Sequence, residues 1–182
     1  MSKLRCQWAG AVAAVGGLLW TGWAGAAHVL GRTPAPVVGT IVVSALGVVA
    51  GCYAVEEFYG QRMKRPGTAG AWLGGLAALV FGIGQGLRLA TGGGEATLAI
   101  GGLGLSVGSL LMATGLVRTR IQPPWLGVVL AIGTIGFLLY EAVPAAAALY
   151  GLAWVALGQD FYRHDPPDGR FGEPGADYGW LS

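Results

Sequence analysis

The run from Val37 to Val55 carries no charged residue and, as a helix rising roughly 1.5 Å per residue, reaches about 28 Å, the thickness of a bilayer's hydrocarbon core. A stretch of that length and polarity belongs in a membrane. It leaves through Glu56-Glu57-Phe58-Tyr59 and then Arg62, Lys64 and Arg65, so carboxylates, aromatics and cations fall where a span meets the headgroups on the cytoplasmic side.

The rest of the chain has the same character. It is 54% hydrophobic and 11% charged, with a mean hydropathy of +0.60, whereas a soluble domain carries about 25% charged residues. The net charge of +2 is too small, and its cations too scattered, to suggest a nucleic-acid surface. Glycine is abundant, at 34 residues, yet it has no three-residue period and sits within apolar runs, where it lets helices approach closely. The two cysteines, Cys6 and Cys52, form no CxxC and have no histidine nearby, so neither a disulfide framework nor a metal site is expected.

Apolar periodicity and breakers divide the chain into six expected spans at 8–30, 37–55, 71–89, 96–117, 125–140 and 145–159, followed by a flexible cytoplasmic tail over 163–182 that is rich in Gly, Pro and Asp. Arg32-Thr33-Pro34-Ala35-Pro36 breaks the chain after the first span, a basic loop follows the second, and Pro144 opens the sixth. The first run also offers Ala24-Gly25-Ala26 as a signal-peptidase pattern, but its length favours an uncleaved helix. The fold class is therefore an all-α integral membrane bundle of six helices. An even span number puts both termini on one side. Lys3, Arg5, Arg62, Lys64, Arg65, Arg118, Arg120, Arg163 and Arg170 fall on that side, which makes it the cytoplasmic side of a plasma membrane. Aromatic placement agrees, with Trp8, Phe58, Tyr59, Trp72, Trp125, Phe161 and Tyr162 toward the inner interface and Trp20, Trp23 and Tyr140 toward the outer one.

The spans group into three hairpins, each with a short outer turn. Glu57-Phe58-Tyr59 is echoed by Asp160-Phe161-Tyr162, and Gly16-Gly17-Leu18 by Gly74-Gly75-Leu76, the pattern of a hairpin repeat. Within them, Trp72-Leu73-Gly74-Gly75-Leu76 through Phe81-Gly82-Ile83, then Gly101-Gly102-Leu103 through Leu116-Val117-Arg118, resembles one hairpin of the small six-helix bacterial membrane proteins of the HdeD type. The outer turn here is Gly92-Gly93-Gly94, without the proline common in that family. The resemblance implies architecture only.

Candidate chemistry is sparse. The middle of every expected span is bare of charge, leaving Ser44, Ser106, Ser109 and Thr134 as the deepest polar groups, and such hydroxyls usually bond their own helix or a neighbour. An outer cluster of His28, Gln85, Arg88, Glu95 and Glu141 lies at span ends and is the best candidate binding site. Glu56 and Glu57 form an inner acidic pair, either a cation site at the inner mouth or partners of Arg62 and Lys64. No cofactor is expected, although His28, with Ala24 one turn before it and small residues between, is the position at which an axial contact to haem or chlorophyll would be sought. Gly82-Ile83-Gly84-Gln85-Gly86-Leu87 begins like a nucleotide loop but lies inside a span with no strand before it, and no nucleophile-base pair is present, so an enzyme is not expected.

Glycines four apart share a helix face, and Gly47 with Gly51, Gly70 with Gly74, Gly82 with Gly86, and Gly104 with Gly108 are the expected packing positions. Packing glycine without chemistry points to an accessory or scaffold subunit, with other membrane subunits or further copies of the chain as partners. A small-solute channel or carrier using the outer cluster is the alternative.

Overall fold

A computed structural model describes residues 3–30, 35–119, 125–140 and 142–163. Among them the chain is all-helical: α1 Lys3–Leu30, α2 Ala35–Thr91, α3 Glu95–Thr119, α4 Trp125–Leu138, a 3-10 turn Pro144–Ala147, and α5 Ala148–Arg163. Four segments are long and apolar enough to cross a membrane: Gln7–Leu30, Val38–Tyr59, Arg65–Thr91 and Glu95–Arg118. Trp125–Leu138 is apolar but shorter. The expected tail beyond Arg163 lies outside the described residues, and Arg163 itself belongs to α5 rather than to the tail.

The basic loop expected between the second and third spans is helical instead, because α2 runs unbroken through Pro66. A straight helix of 57 residues would extend about 85 Å and keep its ends apart. These ends meet: a Cβ on Gly82 would stand 3.2 Å from Ala45 Cβ, and one on Gly74 would stand 3.3 Å from Cys52 Sγ. The arms Val38–Tyr59 and Arg65–Thr91 are thus folded against each other about the segment that joins them. Pro66 stands inside α2 next to that joining segment, and a proline within a helix removes one backbone hydrogen bond and kinks it.

Helix packing closes the bundle into a ring. α1 lies on the first arm of α2, the second arm on α3, α3 on α4, α4 on α5, and α5 returns to α1. Glycines stand at several close approaches. The Gly10–Gly158 and Gly17–Gly151 contacts join α1 to α5, and Gly67–Gly115 and Gly74–Gly108 join the second arm to α3. Each of these partners recurs seven residues along its helix, which keeps one face turned toward an antiparallel neighbour over successive turns.

Three aromatic rings from different helices meet at the centre. Trp20 of α1, Phe81 of α2 and Phe137 of α4 touch mutually, with ring centroids 5.7 Å apart for Trp20–Phe81, 5.5 Å for Trp20–Phe137 and 5.7 Å for Phe81–Phe137. Tyr150 of α5 packs under the triangle, 5.0 Å from Trp20, and its hydroxyl shares a 3.0 Å hydrogen bond with Ser109 of α3. Aromatic pairs of this kind each add about 0.5–1.5 kcal/mol beyond their buried area. Trp20 and Trp23, expected as outer interface anchors, are therefore core residues: both are buried, and Trp23 packs on Tyr140. Phe58, Tyr59 and Phe161 are likewise buried rather than interfacial. Among the described residues the rings that face outward are Trp8 of α1, Tyr53 and Trp72 of α2, Trp125 of α4 and Tyr162 of α5.

Candidate functional site

α2 ends and α3 begins across a tight glycine turn. Gly92 and Gly94 have φ of +74° and +93°, a conformation that costs glycine little, and Gly92 N–H donates to the Arg88 carbonyl to cap α2. The Gly94 carbonyl accepts from Leu98 N–H and starts α3. The turn therefore holds Arg88 in the last turn of α2 and Glu95 in the first turn of α3.

Both residues line a cavity of about 550 Å³ between the second arm of α2, α3 and α4. Its walls also include Leu103, Leu138 and Tyr140, and its deep end is formed by Phe81 and Phe137, two members of the central triangle. Arg88 and Glu95 are exposed, and neither carries an ion pair among the described residues. A guanidinium and a carboxylate thus face one apolar cleft with their hydrogen-bonding capacity uncommitted.

Other members of the expected outer cluster are placed differently. Gln85 is buried, 5% exposed, one turn inward of Arg88, and does not line the cavity. His28 is exposed in the last turn of α1 and lines neither this cavity nor the two grooves below. Glu141 lies outside the described residues.

At the other end, Glu56 borders an apolar groove of about 470 Å³ between the arms of α2, beside Cys52, Tyr53 and Trp72. Glu57 is exposed and is absent from that groove, because consecutive helical residues point about 100° apart. The acidic pair is therefore split. A further groove of about 360 Å³, lined by Trp8, Val15 and Leu46 among others, lies between α1 and the first arm of α2.

One polar contact was not legible in the sequence. Tyr59 Oη donates to Asp160 Oδ2 at 3.2 Å, both residues being buried at the junction of α2 and α5. Phe58 and Phe161 meet beside it, at 5.5 Å between centroids. Two residues of each echoing triplet thus meet, Phe58 and Tyr59 with Asp160 and Phe161, and the likeness of the triplets is the sequence signal for that contact.

The packing glycines divide by environment. A Cβ on Gly47 would meet Gly16, on Gly51 Trp154, on Gly70 Met112, on Gly74 Gly108, on Gly82 Ala45, on Gly104 Ala77, and on Gly108 Gly74. At Gly86 nothing lies within 4 Å. Among the described residues no group of three His, Cys, Asp or Glu could hold a metal. No protein-family model, curated protein or solved structure matches the chain.

Proposed function

We propose that the chain is a six-span, non-enzymatic protein of a bacterial-type plasma membrane, built as three hairpins with both termini cytoplasmic, and that it serves as an accessory or scaffold subunit of a membrane assembly. The supporting observation is the occupancy of the bundle centre. Trp20, Phe81, Phe137 and Tyr150 pack ring to ring there, so the interior is committed to cohesion rather than to a polar path. The outward face is apolar to match, with Val15, Leu18, Leu46, Leu76, Ile83 and Ile100 all exposed. In lipid such a surface is solvated by acyl chains, and association with a partner then depends on shape and small residues.

A second reading, a small-solute carrier, is favoured by the cavity that holds Arg88 and Glu95. Purification of the full chain in mild detergent, with native mass and an absorption spectrum, tests the first; uptake by cells expressing Arg88→Gln tests the second. A subunit gives a mass above the monomer, and uptake indifferent to the substitution. A strictly monomeric protein, with uptake that collapses in the variant, favours the carrier. Retention in the membrane pellet after carbonate washing tests the membrane placement on its own.

A further inference from the structure

The charged cavity has a polarity gradient along the helix axes. Arg88 and Glu95 flank the 92–94 turn at one end of the bundle, while Phe81 and Leu103 lie seven and eight residues along their helices, about 10–12 Å deeper at 1.5 Å per residue. Charge therefore stands at the level of the headgroups and apolar wall within the hydrocarbon. Leu103 and Leu138, at 66% and 54% exposure, form the outer lip, so the cleft opens sideways toward lipid as well as upward. A water-soluble solute would match only the upper end of such a site. An amphiphile matches both.

Two opposite charges with no ion pair among the described residues narrow the class of amphiphile. A guanidinium binds phosphate through paired, charge-assisted hydrogen bonds, and a carboxylate accepts from an ammonium group. An anionic headgroup alone would leave Glu95 repelled; a zwitterionic one satisfies both residues. The volume, about 550 Å³, falls in the range of small-molecule sites.

We propose that this cavity is a binding site for a zwitterionic phospholipid of the outer leaflet, its phosphate on Arg88, its ammonium group on Glu95, and an acyl chain lying along Leu103 toward Phe81 and Phe137. The site goes beyond the subunit role and rests on the membrane placement proposed with it. It gives a reason for two opposite charges to be held across a glycine turn without pairing to each other: each is kept for the ligand.

The test is lipid retention by the detergent-purified full chain, read by native mass spectrometry with added phosphatidylethanolamine or phosphatidylglycerol, and with glycerophosphoethanolamine as the headgroup without chains. Phosphatidylethanolamine should be retained about ten-fold more strongly than phosphatidylglycerol, a difference the size of one charge-assisted contact. Glu95→Gln should abolish that preference while retaining phosphatidylglycerol, and Arg88→Gln should weaken both lipids by about ten-fold. Both side chains are exposed, so circular dichroism should show unchanged helicity. Equal retention of the two lipids by the native chain, or retention unaffected by either variant, overturns the site. Competition by glycerophosphoethanolamine as effective as that of the lipid assigns the cavity to a soluble solute instead. Absence of lipid binding by the native chain, with that chain still resisting carbonate extraction, refutes the site alone, whereas release by carbonate refutes the placement.

Discussion

Gly16 and Gly47 meet backbone to backbone: a Cβ on Gly47 would lie 2.5 Å from Gly16 Cα, and one on Gly16 would lie 2.6 Å from Gly47 Cα. Gly74 and Gly108 repeat the relationship between the second arm of α2 and α3, with a Cβ on Gly108 falling 2.7 Å from Gly74 Cα. In both places the obstacle is main chain, which cannot rotate aside as a side chain could. The helices must separate to admit any larger residue.

Gly47→Leu and Gly108→Leu should therefore each lower the thermal stability of the monomer in detergent, by about 1–3 kcal/mol or more, the usual cost of overpacking. Gly86→Leu is the matched control, since its Cβ enters open space. It should leave monomer stability unchanged, and if that face meets another chain the larger assembly alone should dissociate. Fluorescence-detected size-exclusion after a heating series reads both effects together.

The aromatic centre gives a second contrast. Trp20 is fully buried, yet its indole Nε1 has no hydrogen-bond acceptor among the described residues, which leaves a buried donor unsatisfied there. Trp20→Ala removes the ring and should cost about 3–5 kcal/mol through the cavity it leaves. Trp20→Phe keeps a ring at the centre and deletes the unsatisfied donor, so the two terms oppose and the change should be below about 1.5 kcal/mol. A thermal melt separating the two variants widely supports the packed centre. Equal melts would show that the ring contacts add little.

Tyr59 and Asp160 form the third test. Tyr59→Phe removes one donor from a buried carboxylate and should destabilise by about 1.5–3 kcal/mol, the range for hydrogen bonds to charged groups. Asp160→Asn should be destabilising as well, and the double variant less so than the sum, because the residues share a bond across two helices. Additive losses in thermal unfolding would show that the bond contributes nothing by itself.

Helix content was legible because long apolar runs carry their own signature in unbroken length, as at 37–55 and 96–117. The joint between the arms of α2 was not. Charged residues and Pro66 look like a loop in sequence, while the backbone continues as helix and bends, which local composition does not encode. The outer cluster was legible in part: the short glycine turn brings Arg88 and Glu95 near each other whatever the tertiary fold, so adjacency in sequence sufficed. Gln85 stays out of the cavity, because the direction it faces depends on which helix packs beside it. The aromatic centre was hidden for the same reason: an interfacial tryptophan and a core tryptophan both occur in apolar runs, and Trp20 differs from Trp8 only in the face it occupies. Of the glycines four apart, those at Gly47, Gly51, Gly70, Gly74, Gly82, Gly104 and Gly108 meet a neighbouring segment and Gly86 does not, while the contacts Gly10–Gly158, Gly17–Gly151, Gly67–Gly115 and Gly74–Gly108 also recur at seven, a spacing that four-apart pairs do not reveal.

The central claim is that three hairpins cross the membrane with both ends of the chain inside. Single-cysteine labelling in intact cells tests it most directly, using a membrane-impermeant thiol reagent on a chain in which Cys52, buried and free, is replaced. Cysteine introduced at Gly93, in the turn between α2 and α3, should label from outside, while Cys6 should label only after the cells are opened. Labelling of Cys6 in intact cells, with Gly93→Cys protected, would contradict the orientation and the span assignment built on it.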